Sequence, residues 1–251
     1  MDQRVSATAG DIPALIIAPH GAHDDYTGQV AETIIDEIGC YGVINWGWER
    51  SEVFDYYKDK ANCNNVNHLF EDVVKDEFLD PVEKYVDRIL MEHPEAFIYL
   101  IHGMGNDSRK KANDPALDMV IGYGGAKNAK YSSYSTDKWR ADALGYLAHL
   151  QGFGVYFSKE GGSFAGNSKN NLNQYYRKWD LNPSVHSLQI EIVKDKRLDE
   201  DTAKITGMCF AMAIEDHVDF MTEAVNDNGT YDLPIDWDID WADIASKLPK
   251  Y

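Results

Sequence analysis

The chain has 251 residues, of which 44% are hydrophobic, 12% aromatic and 26% charged, proportions of a globular protein able to bury about three quarters of its unfolded surface. Its 42 acidic and 24 basic residues leave a formal net charge of −18, which argues against a broad basic face for nucleic acid, anionic membrane or any other polyanion. There is no apolar run of membrane-spanning length, no signal-peptide core in Met1–Gly10 and no cysteine framework among Cys40, Cys63 and Cys209, so the expectation is a soluble, cytoplasmic protein.

Helical and strand patterns alternate along the chain. Pro13–Ala18 is a short apolar run that enters a loop, as a buried parallel strand does. Thr27–Ile38 places Val30, Ile34 and Ile38 on one helical face, with Gly39 to stop it. Gly42–Trp48 reads as a second strand. Asp80 and Pro81 open a helix as cap and first-turn residue, with Val82, Val86, Ile89 and Leu90 inward and Pro94 closing it. Phe97–Ile101 is a third strand and Asp118–Gly122 a fourth. Thr136–Leu150 is helical, with Trp139, Ala143, Leu147 and Leu150 on one side. Phe153–Phe157 and Leu188–Val193 are further strands, and Glu200–Glu223 is a closing helix.

This alternation predicts an α/β fold of three layers, α/β/α, with a mostly parallel central sheet. No linker or repeat divides the chain, so a single domain is expected over 1–251. The stretch 226–251 is expected to be an acidic tail packed on that domain, because Ile235, Trp237, Ile239 and Trp241 alternate with aspartates.

Ligands of open parallel sheets bind beyond the carboxyl ends of the strands. The first strand runs into Pro19-His20-Gly21-Ala22-His23-Asp24-Asp25, the third into His102-Gly103, and a late strand carries Gln189-Ile190-Glu191-Ile192. Two histidines and an acid at one sheet edge form a three-ligand zinc site with an open fourth position. A zinc-bound water then ionises near neutrality, and a nearby carboxylate can take its proton. Glu191 suits that role, because an acid between Ile190 and Ile192 is costly to bury without a partner. Arg50, after the second strand, can hold a carboxylate through two parallel hydrogen bonds. The asparagines around Cys63 serve equally as turn residues or as a polar pocket wall. Gly161-Gly162-Ser163-Phe164-Ala165 approaches a nucleophile elbow, but a polar stretch follows it instead of an amphipathic helix.

In order along the chain, these segments resemble the N-formylglutamate amidohydrolase family and its relatives, the phage-type poly-γ-glutamate hydrolases. The resemblance spans roughly Pro13 to Arg197. It rests on Pro19-His20-Gly21, Ile101-His102-Gly103, Met119-Val120-Ile121-Gly122, the loop Phe164-Ala165-Gly166-Asn167, and Gln189-Ile190-Glu191-Ile192 followed by Lys196-Arg197. It implies a phosphorylase/hydrolase-like α/β/α fold related to zinc carboxypeptidases, with a Zn2+ cofactor held by two histidines and an acid. It also implies hydrolysis of an amide bond near a glutamate-like carboxylate. His20 and His102 match the metal histidines, Glu191 the carboxylate that acts as base, and Arg50 an arginine that anchors substrate. Phe164, Gly166 and Asn167 match the substrate loop. Registering Val30-Ala31-Glu32 with the relatives' helix favours Asp24 as the acidic ligand, with Asp25 and His23 as alternatives.

The expected activity is zinc-dependent hydrolysis of a small acyl-amino acid or γ-glutamyl amide, with Glu191 as general base. The net charge disfavours a long polyanionic substrate. The turn reads Gly21-Ala22-His23 where relatives are glycine-rich, which supports the alternative of a binding protein that keeps the fold without turnover. A serine hydrolase using Ser163 is the third reading.

Overall fold

A computed structural model describes residues 4–22, 24–47, 63–69, 74–125, 134–178 and 184–224. Seven strands among them form one sheet: β1 (Val5–Thr8), β2 (Ala14–Ala18), β3 (Tyr41–Asn45), β4 (Ala96–Met104), β5 (Met119–Gly122), β6 (Val155–Phe157) and β7 (Val185–Val193), in the order β1-β3-β2-β4-β7-β5-β6. The pairs β3-β2, β2-β4, β4-β7 and β5-β6 are parallel, whereas β1 runs antiparallel to β3 and β5 antiparallel to β7. The sheet is therefore mixed but mostly parallel, with helices on both faces.

One face packs on α1 (Thr27–Ile38), α5 (Lys138–Leu150) and α7 (Glu200–Ala224). Val30 and Ile34 of α1, Leu144 and Leu147 of α5, and Phe210 and Ile214 of α7 join Tyr99, Ile101, Ile190 and Ile192 in one buried cluster. The other face packs on α2 (Val66–Leu69) and α3 (Asp80–Glu92), where Val82, Val86 and Ile89 meet Leu15, Ile17, Ile98 and Leu100. Two short helices, α4 (Asp107–Ala112) and α6 (Tyr175–Lys178), lie in the connections. Strands buried on both faces read as continuous apolar runs, which is why β2 and the middle of β4 were legible in the sequence.

Two expectations are corrected. Asp80 does not cap a helix, because the π-turn Lys75–Leu79 runs directly into α3 and Leu79 is already helical. Leu150 does not face the core: at the last turn of α5 it is 59% exposed. The fourth strand is antiparallel to its neighbour β7. The edge strand β1 carries only Val5 as a buried hydrophobic residue and gave no apolar pattern to read. Gly39 does end α1, in the left-handed conformation (φ 64°) that glycine adopts without a side-chain clash, and its N–H donates to Ile35 O at 3.0 Å. Trp48, Arg50 and the tail from Asn226 lie outside the described residues, and among those described no helix is long and apolar enough to cross a membrane.

Candidate metal centre

The strand order places β2 between β3 and β4. The chain passes from β2 to one side and later returns to the other, so the carboxyl ends of β2 and β4 flank a topological switch point, where open sheets hold ligands. His20 lies two residues beyond the end of β2. His102 lies two residues before the end of β4, and Glu191 two before the end of β7.

The loop after β2 is shaped by its neighbours. Buried Asn45 donates its Nδ2–H to Pro19 O at 2.9 Å, and Ala22 N–H donates to Asn45 O at 3.1 Å. Gly21 fits here because a Cβ would lie 2.8 Å from the Ile44 side chain and 2.9 Å from Asn45 O. Asp24 N–H then donates to His20 O at 2.9 Å, a single helical turn that stacks the two side chains one above the other. His20 Nδ1 lies 3.3 Å from Asp24 Oδ2, and His102 Nδ1 lies 3.8 Å from the same oxygen. Gly103 N–H also donates to Asp24 Oδ2, at 3.3 Å.

His20, Asp24 and His102 each offer one ligand atom, and all three atoms lie within 4.8 Å of one another. Ligands about 2.0–2.1 Å from a tetrahedral zinc are about 3.3 Å apart, so these separations need only small adjustments to close on one ion. His102 Nε2, the ring nitrogen other than the one 3.8 Å from Asp24, is buried without a hydrogen-bond partner among the described residues, a polar atom left for a water to satisfy. Two imidazoles and one carboxylate are also the donor set of a zinc site with an open position. The residues present therefore fit a divalent metal of zinc type.

The electrostatics separate the two carboxyls. Burial raises the Asp24 pKa, but hydrogen bonds to His102 and His20 and their charge outweigh it and hold the group well below the usual carboxylate range. Glu191, buried in β7 and in register with His102, goes the other way. Burial pushes its pKa up, the charge of His102 opposes that and Asp24 adds to it. Its Oε1 accepts from Gln189 Nε2 at 2.9 Å, and Gln189 Oε1 accepts from Asn171 Nδ2 at 2.9 Å. Asn171 Oδ1 in turn accepts from Asn173 N–H at 2.8 Å, so a backbone donor sets the orientation of both amides.

Of the alternatives for the acidic ligand, Asp25 turns away from the histidines into an exposed pair with Lys194 Nζ at 2.8 Å. His23 and Arg50 lie outside the described residues. The Phe164–Asn167 loop packs on β5: Ala165 O accepts from Gly124 N–H at 2.6 Å, and Phe164 joins the cluster of Val120 and Val193, which flank the Glu191 position. Gly166 (φ 63°) presents its carbonyl to Gln174 Nε2 at 3.0 Å, and Asn167 is half-buried. Ser163 is exposed on a turn with no helix immediately after it, and burial pushes the Cys63 thiol far up, so neither has the setting of a nucleophile.

Sequence reasoning gave no role to Arg197, Gln189, Asn171 or Asn45. Gln189 left a readable signal, a polar residue two positions from Glu191 and so on the same strand face, and Arg197 appeared only as a basic residue after that motif.

No family model matches the chain, and no curated protein matches its sequence. Among solved structures it is similar to an N-formylglutamate amidohydrolase from Ralstonia eutropha, with a TM-score of 0.56, 12% identity, and 86% of this chain and 98% of that one covered. It is also similar to a gene product of Agrobacterium tumefaciens (TM-score 0.53, 14% identity, 85% and 94% covered). A third structure, described as zinc-free YNDL, has a TM-score of 0.50, 16% identity and coverage of 86% and 88%. At these identities the likeness establishes architecture: the chain has the α/β/α fold shared by N-formylglutamate amidohydrolase and its structural relatives.

Proposed function

We propose that the protein is a zinc-dependent amidohydrolase acting on a small acyl-amino acid or γ-glutamyl amide. The observation that carries this reading is the convergence of His20, Asp24 and His102 at the switch point, with Glu191 in register beside His102. A zinc ion, when bound there, supplies Lewis acidity that polarises the scissile carbonyl and eases the ionisation of water. His20, Asp24 and His102 hold that ion, and the ionised state of Asp24 gives the site its negative charge. Glu191 accepts a proton from water and returns it to the departing nitrogen. A carboxyl pushed up beside one held down is the arrangement that assigns the acid–base role to the former.

Phe164, Gly166 and Asn167 line the substrate side, and Arg50 anchors the substrate carboxylate. The net charge of −18 favours a small substrate over a polyanion. The N-formylglutamate amidohydrolase structure among the neighbours supports the substrate class by analogy of fold.

The deciding experiment is the metal content of the purified protein by mass spectrometry, with His20→Ala and His102→Ala in parallel. About one zinc per chain is expected in the parent, as for a three-ligand catalytic site, and far less in both variants. A parent that takes up no metal when zinc is supplied would sink the hydrolase reading and leave the binding protein in its place.

A further inference from the structure

The carboxyl ends of β4 and β7 and the loop after β2 meet at a buried guanidinium, that of Arg197. Arg197 ends the turn Lys194–Arg197 that follows β7 and is 3% exposed. Every one of its nitrogens ends on a backbone carbonyl. Nε donates to Ile192 O at 3.1 Å, Nη1 to Asp24 O at 2.7 Å and Asp25 O at 2.5 Å, and Nη2 to Met104 O at 3.1 Å. Those carbonyls belong to β7, the β2–α1 loop and β4. An arginine spent on carbonyls of three segments is a fixed fork that sets backbone positions.

The guanidinium also rests against Gly103, the residue after His102. A Cβ there would lie 2.2 Å from Nη2 and 2.3 Å from Cζ, so the close approach requires glycine. On the loop side, Asp25 (φ 22°) and Tyr26 (φ 60°) adopt the left-handed region without being glycine, a strained turn that needs support. The two loop carbonyls that Arg197 holds are those of Asp24 and Asp25, at the start of this turn. Asp24 thereby faces the histidines while Asp25 is directed to Lys194.

We propose that Arg197 is a positioning residue for the metal centre: its hydrogen bonds pin the Asp24 backbone to the end of β4, so that His20, Asp24 and His102 are assembled before a divalent cation arrives. This rests on the metal reading above. A cation beside a cation site is electrostatically unfavourable, so the hydrogen bonds must be tested with the positive charge retained. Arg197→Lys keeps the charge but offers one ammonium for carbonyls on three segments. Gly103→Ala keeps Arg197 but displaces it with a methyl group.

The test is zinc affinity of the full chain, measured with zinc alone in competition with a chromophoric chelator. Thermal unfolding of the chelator-treated protein reports stability separately, and Ile89→Val, a core truncation on α3, serves as the control for destabilisation alone. Both charge-retaining variants are expected to bind zinc roughly 10–100-fold more weakly than the parent, the usual effect of losing a group that orients a metal ligand. Ile89→Val is expected to bind as the parent does. Folded variants with the parent's affinity would overturn this inference and leave the metal reading intact. A parent without zinc would overturn both. If one variant does not fold, the other decides.

Discussion

Burial by itself raises the Asp24 pKa; two imidazoles, one from the same turn and one from a different strand, outweigh it. For Glu191, in the strand beside His102, burial prevails over the opposing charge of His102 and the Gln189 hydrogen bond, and its pKa is pushed up. Residues of the same chemical type thus meet opposite electrostatic surroundings, which in the proposed mechanism leaves Asp24 to hold the ion and Glu191 to exchange protons. Glu191→Gln keeps the size and the Gln189 contact but cannot take a proton. It is expected to lower the turnover of an acyl-amino acid by about 10²- to 10⁴-fold while zinc content stays at the parent's level. Turnover equal to the parent's would remove Glu191 from the mechanism, and loss of zinc would make it a ligand instead. The sequence showed Glu191 as an anomaly because an acid interrupts an apolar strand. The resemblance favoured Asp24 over Asp25, but composition and spacing alone do not separate adjacent residues of one loop, whose side chains take different directions in the fold.

At the scale of elements, α1 shows how a local stop signal sets the geometry. Gly39 ends the helix at φ 64° with no heavy atom within 4 Å of a Cβ, so a side chain there meets backbone strain and no packing clash. Gly39→Ala is expected to destabilise the protein by about 1 kcal/mol, the left-handed penalty for a non-glycine residue. Urea unfolding checks this, and a rise in midpoint would mean that the residue relaxes out of the left-handed region. Elements with a strong period were legible: α1, α3 and the core strands β2, β4 and β7. The π-turn before α3 was not, because Asp80-Pro81 looks like a helix start whether or not a wider turn precedes it. Strand direction was also invisible, since β5 has the same apolar composition whether it pairs parallel or antiparallel with β7.

Across the described molecule, the candidate metal centre lies at the carboxyl ends of β4 and β7, while a second polar network lies near their opposite ends. Glu95 accepts from Arg140 Nη2 at 2.8 and 2.9 Å and lies 3.2 Å from His186 Nε2. His217 Nε2 donates to Arg140 O at 2.9 Å, which leaves Nδ1 to accept from Tyr99 O–H at 2.7 Å. Burial first, then the charge of Arg140 and His186, push the His217 pKa from its ordinary 6.5 down to about 4, so the ring is neutral in the fold. The unfolded chain takes up that proton first as pH falls, so stability is lost between about pH 6.5 and pH 4, by about 3 kcal/mol in all. Glu95 acts in a lower window. Burial opposes its ionisation, but His186 and Arg140 hold its pKa at about 2, so the stability it contributes above its ordinary 4.5 disappears as pH falls toward 2. Urea midpoints of the parent and His217→Gln at about pH 7 and about pH 4.5 test the upper window, where the variant is expected to lose most of the parent's pH dependence. An unchanged dependence would assign the effect to other groups.

The sequence by itself determined the class of fold and the residue types of the site, because periodicity, strand-end position and costly buried polarity are local properties that each segment carries within itself. The tertiary structure alone decided which acid faces the histidines, that Glu191 stands in register with His102, and that Arg197 closes the loop. Those facts depend on the meeting of β2, β4 and β7 and the loops that follow them, segments up to 173 residues apart in the Asp24–Arg197 pair, whose relative placement no local pattern encodes.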